Sequence, residues 1–373
     1  MPNILRNAAP GVLTLEAYTP GMPIEELQRR LGVGNAVKLA SNENPLGMSP
    51  RVKDALAAHI NATELARYPD GSGFRLKKKL AEIHSIAPER ITLGNGSNDI
   101  IELLGRVFLG PGRWAMFSAH AFAVYPIITQ AQDAQAIVVE PRDPDHEQPY
   151  GHDLAAFERE VNPEVTLVFI ANPNNPTGTW VSPDEIEHFL TKVPSHTIVA
   201  LDEAYYEYMD PALRGNSRAL LDKFPNLVVF RTFSKAYGLA GLRAGYALSS
   251  PQLADVLNRV RQPFNNNALA LLAAEVALED QEHVRKSVEL NTRERTRLVA
   301  ELKKIGLKVL PSQANFLAIG FGREAKPIHE KLLNQGVIVR PMASYGLAEY
   351  LRVTIGTEAE NNRFLAALKE AVK

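Results

Sequence analysis

A chain of 373 residues has room for about two domains at roughly 100 to 200 residues each, which excludes a small single-domain binding module. With 41 basic against 42 acidic residues and a formal net charge of −1, no overall field draws it to nucleic acid or an anionic bilayer, so any anion it binds must be held locally. There is no cysteine, which removes disulfides, thiolate metal sites and thiol nucleophiles together.

Residues 1–40 are turn-rich (APG, TPG) and contain one predicted short helix, PIEELQRRL at 23–31, with its proline in the first helical position. They read as an N-terminal arm. No cationic segment leads into an apolar stretch there, and no apolar run reaches the 18 or so residues of a membrane span, so a cytoplasmic protein is expected. Helices are predicted at 50–60 and 73–84, and RITLGNGSNDIIELLGRVF reads as a short strand, a glycine turn and a helix. Strands are expected at 114–118 (WAMFS), 136–140 (AIVVE), 165–171 (VTLVFIA), 197–202 (TIVALD), 226–232 (NLVVFRT) and 245–249 (GYALS). Most are apolar at consecutive positions, the pattern of strands covered on both faces of a parallel sheet. Beyond Pro251, two helical segments flank QPFNNN (262–267), and a long amphipathic helix follows with Val284, Val288, Arg295, Leu298, Leu302 and Ile305 near helical spacing. The tail alternates strand and helix through KVLPSQANFLAIG, IHEKLLNQGVIVR, YLRVTIGT and a terminal helix from 358. The expected fold is α/β, with a large domain over 41–262 built on a mostly parallel central sheet flanked by helices, and a smaller α+β domain over 263–373.

In open α/β sheets, ligands gather beyond the carboxyl ends of the strands. TLVFIA runs into NPNNPTG, TIVALD ends on Asp202 with Glu203 and Tyr205 behind it, and LVVFRT runs into FSK, so polar groups stand at three successive strand ends. A partly desolvated Lys235 near Arg243 is expected to have a lowered pKa and to react as an amine with a carbonyl. Asp202 deep in the same cleft keeps a pyridine nitrogen protonated. Thr232, Ser234 and Arg243, with the backbone of GNGSND opening a helix, suit a phosphate. Pyridoxal 5′-phosphate combines that aldehyde, ring nitrogen and phosphate. Taken singly, NPNNPTG is a turn sequence and an aspartate after a strand is a common helix cap; the serial order of Asn175, Asp202, Tyr205, Lys235 and Arg243 is what carries the reading.

The motifs SNENPLG (41–47), RYPDGSG (67–73), LGNGSND (93–99), NPNNPTG (172–178), LDEAYYEY (201–208), TFSKAYGLAGLRAGY (232–246), RQPFNNN (261–267) and YLRVTIGT (350–357) span nearly the whole chain. On them the sequence resembles the fold-type I pyridoxal-phosphate aminotransferases, and within these the histidinol-phosphate branch. The resemblance implies that Lys235 forms a carbon–nitrogen double bond with the cofactor aldehyde and, once freed by substrate, moves a proton between the substrate Cα and the cofactor. It implies that Asp202 pairs with the ring nitrogen, that Tyr205 and Asn175 bond the ring hydroxyl oxygen, and that Thr232, Ser234, Arg243 and the backbone at Gly96, Ser97 and Asn98 cradle the phosphate. Tyr68 is expected to reach that phosphate from the neighbouring subunit of a homodimer. Phe122 stands where the family commonly has a stacking tyrosine, and Asn266 where an apolar residue is frequent; no function is attached to the latter. Arg352, Arg340 and Tyr18 are the expected substrate-binding residues, two cations and an aromatic suited to a dianion.

The reaction implied is a ping-pong exchange of the amino group between L-histidinol phosphate and 2-oxoglutarate, yielding imidazole acetol phosphate and glutamate, or its reverse in histidine biosynthesis. An aromatic amino-acid aminotransferase acting on phenylalanine or tyrosine is the alternative on the same scaffold. A non-catalytic regulator would need a basic DNA-binding module, and the charge is balanced. A nicotinamide dehydrogenase is disfavoured because the turn at 94–96 has Asp99 where the third glycine of GxGxxG belongs.

Overall fold

The computed structural model describes residues 4–18, 20–32, 35–62 and 65–373. Among these, thirteen strands can be numbered in chain order: β1 Val37–Lys38, β2 Ile91–Gly94, β3 Trp114–Ser118, β4 Gln135–Val139, β5 Val165–Ala171, β6 Ile198–Asp202, β7 Leu227–Thr232, β8 Gly245–Leu248, β9 Lys308–Val309, β10 Phe316–Gly320, β11 Val337–Ile338, β12 Arg340–Pro341 and β13 Tyr350–Thr354.

The consecutive apolar residues of the central strands divide between two cores. Val168 and Ile170 of β5 enter one and Leu167, Phe169 and Ala171 the other; Val199 and Leu201 of β6 part in the same way from Ile198 and Ala200. Side chains alternate across a strand, so an unbroken apolar run needs cover on both faces. These strands form a seven-stranded sheet of order β2-β8-β7-β6-β5-β3-β4. The run from β4 to β7 is parallel.

Two strands depart from the expectation of parallel, doubly covered strands. β8 is antiparallel to both β7 and β2. The chain returns from β7 through a loop whose regular element is the one-turn helix Ala240–Leu242, and an antiparallel neighbour needs no longer crossover. Thr232 consequently pairs with Gly245, which brings Arg243 back beside Ser234. β4 is the sheet edge, and its Val138 is 54% exposed. The helix expected at 23–31 runs Ile24–Leu31, with Pro23 extended just before it; the arm also contains a turn of helix at Pro10–Leu13, and β1 pairs in parallel with β11, neither legible beforehand.

The second sheet, of order β12-β13-β10-β9, is antiparallel throughout. Leu317, Ile319, Leu351 and Val353 from it pack with Leu298, Leu302, Ile328 and Phe364 of neighbouring helices in a separate core. The helix Ala268–Glu279 sends Ala270, Ala273, Ala274 and Ala277 into a core of the large sheet, as does Val284 at the start of Gln281–Lys304.

Residues 40–47 cross between the two sheets. Asn44 Nδ2 donates to the Ala236 carbonyl at 2.9 Å, and His283 Nε2 lies 2.9 Å from the Gly47 carbonyl oxygen. Gly238, at φ +70°, lies so close to this crossing that a Cβ there would meet the Gly47 carbonyl oxygen at 2.1 Å. Gly238→Ala is therefore expected to cost about 2 kcal/mol or more in urea unfolding of the ligand-free protein. Gly241→Ala, whose added Cβ meets nothing within 4 Å, should stay within about 0.5 kcal/mol of the parent.

Candidate active site

A cavity of about 240 Å³ opens at the carboxyl ends of β5, β6 and β7. Its lining includes Tyr18, Ser97, Asn98, Phe122, Asn175, Asp202, Tyr205, Thr232, Ser234, Lys235, Arg243, Arg340 and Arg352, so three elements of the large sheet, the arm and the small sheet converge on it. Gly96 sits just behind, and Tyr68 is elsewhere: it is 81% exposed and stacked on Phe264 with ring centroids 4.5 Å apart.

Lys235 follows β7 and keeps its remaining accessible surface on the cavity side. Its Nζ donates to the Ser41 carbonyl at 3.1 Å and lies 5.7 Å from the centre of the Tyr205 ring. Desolvation, helped by the Arg352 and Arg243 charges and opposed by Glu43 and Asp202, pulls its pKa down to about 8. Asp202 closes β6 and is buried; desolvation pushes its pKa up to about 6, while a hydrogen bond from Tyr125 favours the carboxylate. Tyr125 Oη donates to Asp202 Oδ2 at 2.8 Å, and the Ala204 amide donates to Oδ1 at 3.1 Å. Tyr205 Oη accepts from Asn42 Nδ2 at 2.9 Å, and burial raises its pKa to about 12, so its proton is available for donation.

An anion cradle lies at one side. The helix Ser97–Phe108 starts from Gly96 at φ +81° with no side-chain cap, leaving its first amides toward the cavity where Ser97 and Asn98 line it. Arg243 donates to Ser234 Oγ at 3.3 Å and to the Ala240 carbonyl at 3.2 Å. Its guanidinium packs so tightly that a Cβ on Gly96 would be 2.5 Å from Nη2. Thr232 Oγ1 accepts from the Ser234 amide at 3.1 Å, which orders the turn.

At the opposite side Arg340 on β12 and Arg352 on β13 are direct cross-strand partners. Like charges placed opposite one another are destabilising unless something negative lies between them. Arg352 donates to Asn175 Oδ1 and, at 2.8 Å, to the Ala40 carbonyl; Arg340 stands 5.4 Å from the centre of the Tyr18 ring. Asn175 thereby accepts from Arg352 and keeps its NH₂ to donate into the cavity.

Sequence reading missed Tyr125, Asn42 and the Ser41 carbonyl. SNENPLG was visible as a motif without a role, and Tyr125 lies three residues beyond Phe122, at the start of the helix Val124–Ala131, where the two rings meet edge to face at 5.8 Å. Also unforeseen is the buried Arg231–Glu203 ion pair at 2.8 Å, whose members alternate with Thr232 and Asp202 and so point to the other side of the strand ends.

A family model described as aminotransferase class I and II matches residues 34–368. The chain belongs to this family. This aminotransferase is 52% identical over 372 residues, 99% of this chain and 98% of its counterpart, to histidinol-phosphate aminotransferase 2 of Pseudomonas fluorescens. It is 50% identical over 368 residues, 99% and 98% of the two chains, to histidinol-phosphate aminotransferase 1 of Idiomarina loihiensis. The crystal structure of histidinol-phosphate aminotransferase from Sinorhizobium meliloti in complex with pyridoxal 5′-phosphate covers 98% of both chains at TM-score 0.88 and 28% identity. The donor set of this aminotransferase fits that cofactor: a buried carboxylate for a ring nitrogen, an amine of lowered pKa for an aldehyde, and uncapped helix amides with Arg243 for a phosphate.

Because the Tyr125 hydroxyl bonds the ionised form of Asp202, Tyr125→Phe should raise the Asp202 pKa above its value of about 6, by about one unit. Carboxyl-stretch infrared titration of the ligand-free protein, with Asp202→Asn as the blank, measures the shift.

Proposed function

We infer that this chain is a pyridoxal 5′-phosphate-dependent histidinol-phosphate aminotransferase of histidine biosynthesis, exchanging the amino group between L-histidinol phosphate and 2-oxoglutarate or glutamate. The observation that carries the reading is the convergence of Lys235, Asp202 and the Gly96–Arg243 cradle on one cavity whose far wall holds two cross-strand arginines. Relatives at about 50% identity over the whole chain bear that name, which favours a phosphorylated substrate over an aromatic amino acid.

When bound, pyridoxal phosphate supplies an aldehyde that takes up an amine and a protonated ring that accepts the electron pair left behind by a departing Cα proton. The protein does the rest. Asp202, ionised, holds the ring nitrogen's proton by charge; Tyr205 and Asn175 orient the ring oxygen; Thr232, Ser234, Arg243 and the amides from Gly96 to Asn98 anchor the phosphate. Phe122 offers an aromatic face for stacking. The hydroxyl it lacks is not restored by Tyr125, whose oxygen is committed to Asp202. Lys235 Nζ moves the proton off the substrate Cα. Arg352 and Arg340, with Tyr18 over the latter, hold the substrate phosphate; a carboxylate of the second substrate fits the same cations.

We also place Tyr68 in the site of a partner subunit. Its exposure, with Phe264 stacked on it and Leu65 lining the same surface hollow, leaves an apolar patch outside its own cavity, which supports a homodimer with shared sites. The division into two units falls, in this reading, within the helix Gln281–Lys304 and not at residue 263, since Ala270 to Val284 pack with the large sheet. The reaction is assigned to the cytoplasm, as expected of a biosynthetic enzyme.

Addition of pyridoxal phosphate to the ligand-free protein should produce a visible absorption band that histidinol phosphate bleaches and 2-oxoglutarate restores; a protein that takes up no cofactor overturns the reading. At pH 7.5 a lysine of pKa about 8 is neutral in about a quarter of molecules, against about one in a thousand at an ordinary 10.5. The rate of cofactor attachment at Lys235 should accordingly rise with pH and level off above about 8. In steady-state assays Arg340→Gln should raise KM for histidinol phosphate by about tenfold or more, equivalent to about 1.4 kcal/mol, with a smaller effect on glutamate.

A further inference from the structure

The segment 261–267 touches no part of the cavity, yet its polar side chains grip both elements that hold the phosphate. Asn265 Nδ2 donates to the Leu93 carbonyl at 3.2 Å and to Asp99 Oδ2 at 2.7 Å; the same Asp99 oxygen accepts the Asn95 amide at 2.8 Å. Asn266 Nδ2 donates to the Gly94 carbonyl at 2.8 Å. Asn267 Nδ2 donates to the Leu242 carbonyl at 3.1 Å, one residue before Arg243, while its Oδ1 caps the helix Ala268–Glu279 at the Ala270 amide. Three consecutive asparagines thus tie down residues 93–99 and the approach to Arg243.

The segment is itself anchored. Arg261 donates to Asn265 Oδ1 at 2.6 Å and to the Gly71 carbonyl at 2.7 Å, and Phe264, held at φ +56°, stacks on Tyr68. The geometry needs such support: Gly96 and Arg243 both have positive φ and lie in direct contact, so a small shift of either strand end changes the spacing between helix amides and guanidinium. Asn265 has a second effect, since it and the Asn95 amide occupy the carboxylate of Asp99, the one anion in the first turn of the phosphate-facing helix, and that carboxylate does not line the cavity.

We propose that Asn265, Asn266 and Asn267 are positioning residues for the cofactor phosphate, acting through the turn 94–98 and through Arg243 without touching the anion themselves. The proposal rests on the functional reading above. Asn266 is the residue that departs from the apolar side chain frequent in this family, and its amide gives the departure a purpose: it holds the Gly94 carbonyl that leads into the glycine turn.

The test compares ligands with and without the phosphate on the ligand-free protein. Asn265→Ala and Asn266→Leu should each weaken binding of pyridoxal 5′-phosphate and of inorganic phosphate by at least tenfold in fluorescence and thermal-shift titrations, leaving the affinity for pyridoxal within about twofold. Asn267→Ser, which keeps a helix cap and loses the bond to Leu242, should show the same pattern and covers the event that a larger change prevents folding. Equal losses for pyridoxal and its phosphate, or no loss for either, overturn the proposal. A parent protein that binds inorganic phosphate but no pyridoxal phosphate overturns the functional reading, and the phosphate titration of the variants then still decides this one.

Discussion

A lysine in a drying pocket is the constraint around which this molecule is organised. Water is withdrawn from Lys235 by the strand ends on one side and by residues 40–47 on the other, and two arginines stand near it. An ammonium so placed loses solvation that a single carbonyl, Ser41, does not replace, so the neutral amine becomes accessible near physiological pH. The same desolvation works in the opposite sense on Asp202, whose charge is lost as the pH falls through about 6 and would be lost at a higher pH without the hydrogen bond from Tyr125. One desolvating cavity therefore prepares a nucleophile and strains a carboxylate, and a cationic ring beside Asp202 would relieve the second.

The crossing segment 40–47 is the second structural consequence. Ala40 accepts from Arg352, Asn42 donates to Tyr205 through its side chain and to Thr354 through its amide, and Asn44 reaches Ala236. Arg352 and Thr354 belong to the small sheet, Tyr205 and Ala236 to the loops after β6 and β7. Arg352 and Lys235 are thus referred to a single piece of backbone, which is why the close approach at Gly238 matters to the site and not only to the fold.

Much of this was legible along the chain. The strands at 114–118 and 165–171 could be read to the residue, because unbroken apolar runs bounded by turn residues leave few alternatives. β8 was legible as a strand but not in its direction, which depends on where the following chain finds a partner. β1 and β11, two residues each, have no periodicity to detect and exist because their backbones meet. Val138 shows the limit from the other side: its apolar surroundings in sequence do not reveal that its strand is the last in the sheet. The serial order of Asn175, Asp202, Tyr205, Lys235 and Arg243 named the chemistry, since those residue types follow the strands that deliver them. Tyr125, Asn42 and the asparagines at 265–267 carried no comparable mark, because they act on neighbours distant in sequence.

By itself, then, the sequence determined the layered α/β plan and the class of cofactor, and it marked Lys235 and Asp202 as the candidate amine and acid, because local periodicity and residue type already encode burial and reactivity. Tertiary structure alone decided that Arg340 and Arg352 face each other across one sheet, that Tyr68 stacks on Phe264 outside its own cavity, and that Ser41 meets Lys235 across 194 positions. Those relations depend on the spatial meeting of separate segments, which packing of the whole chain determines and no local pattern records.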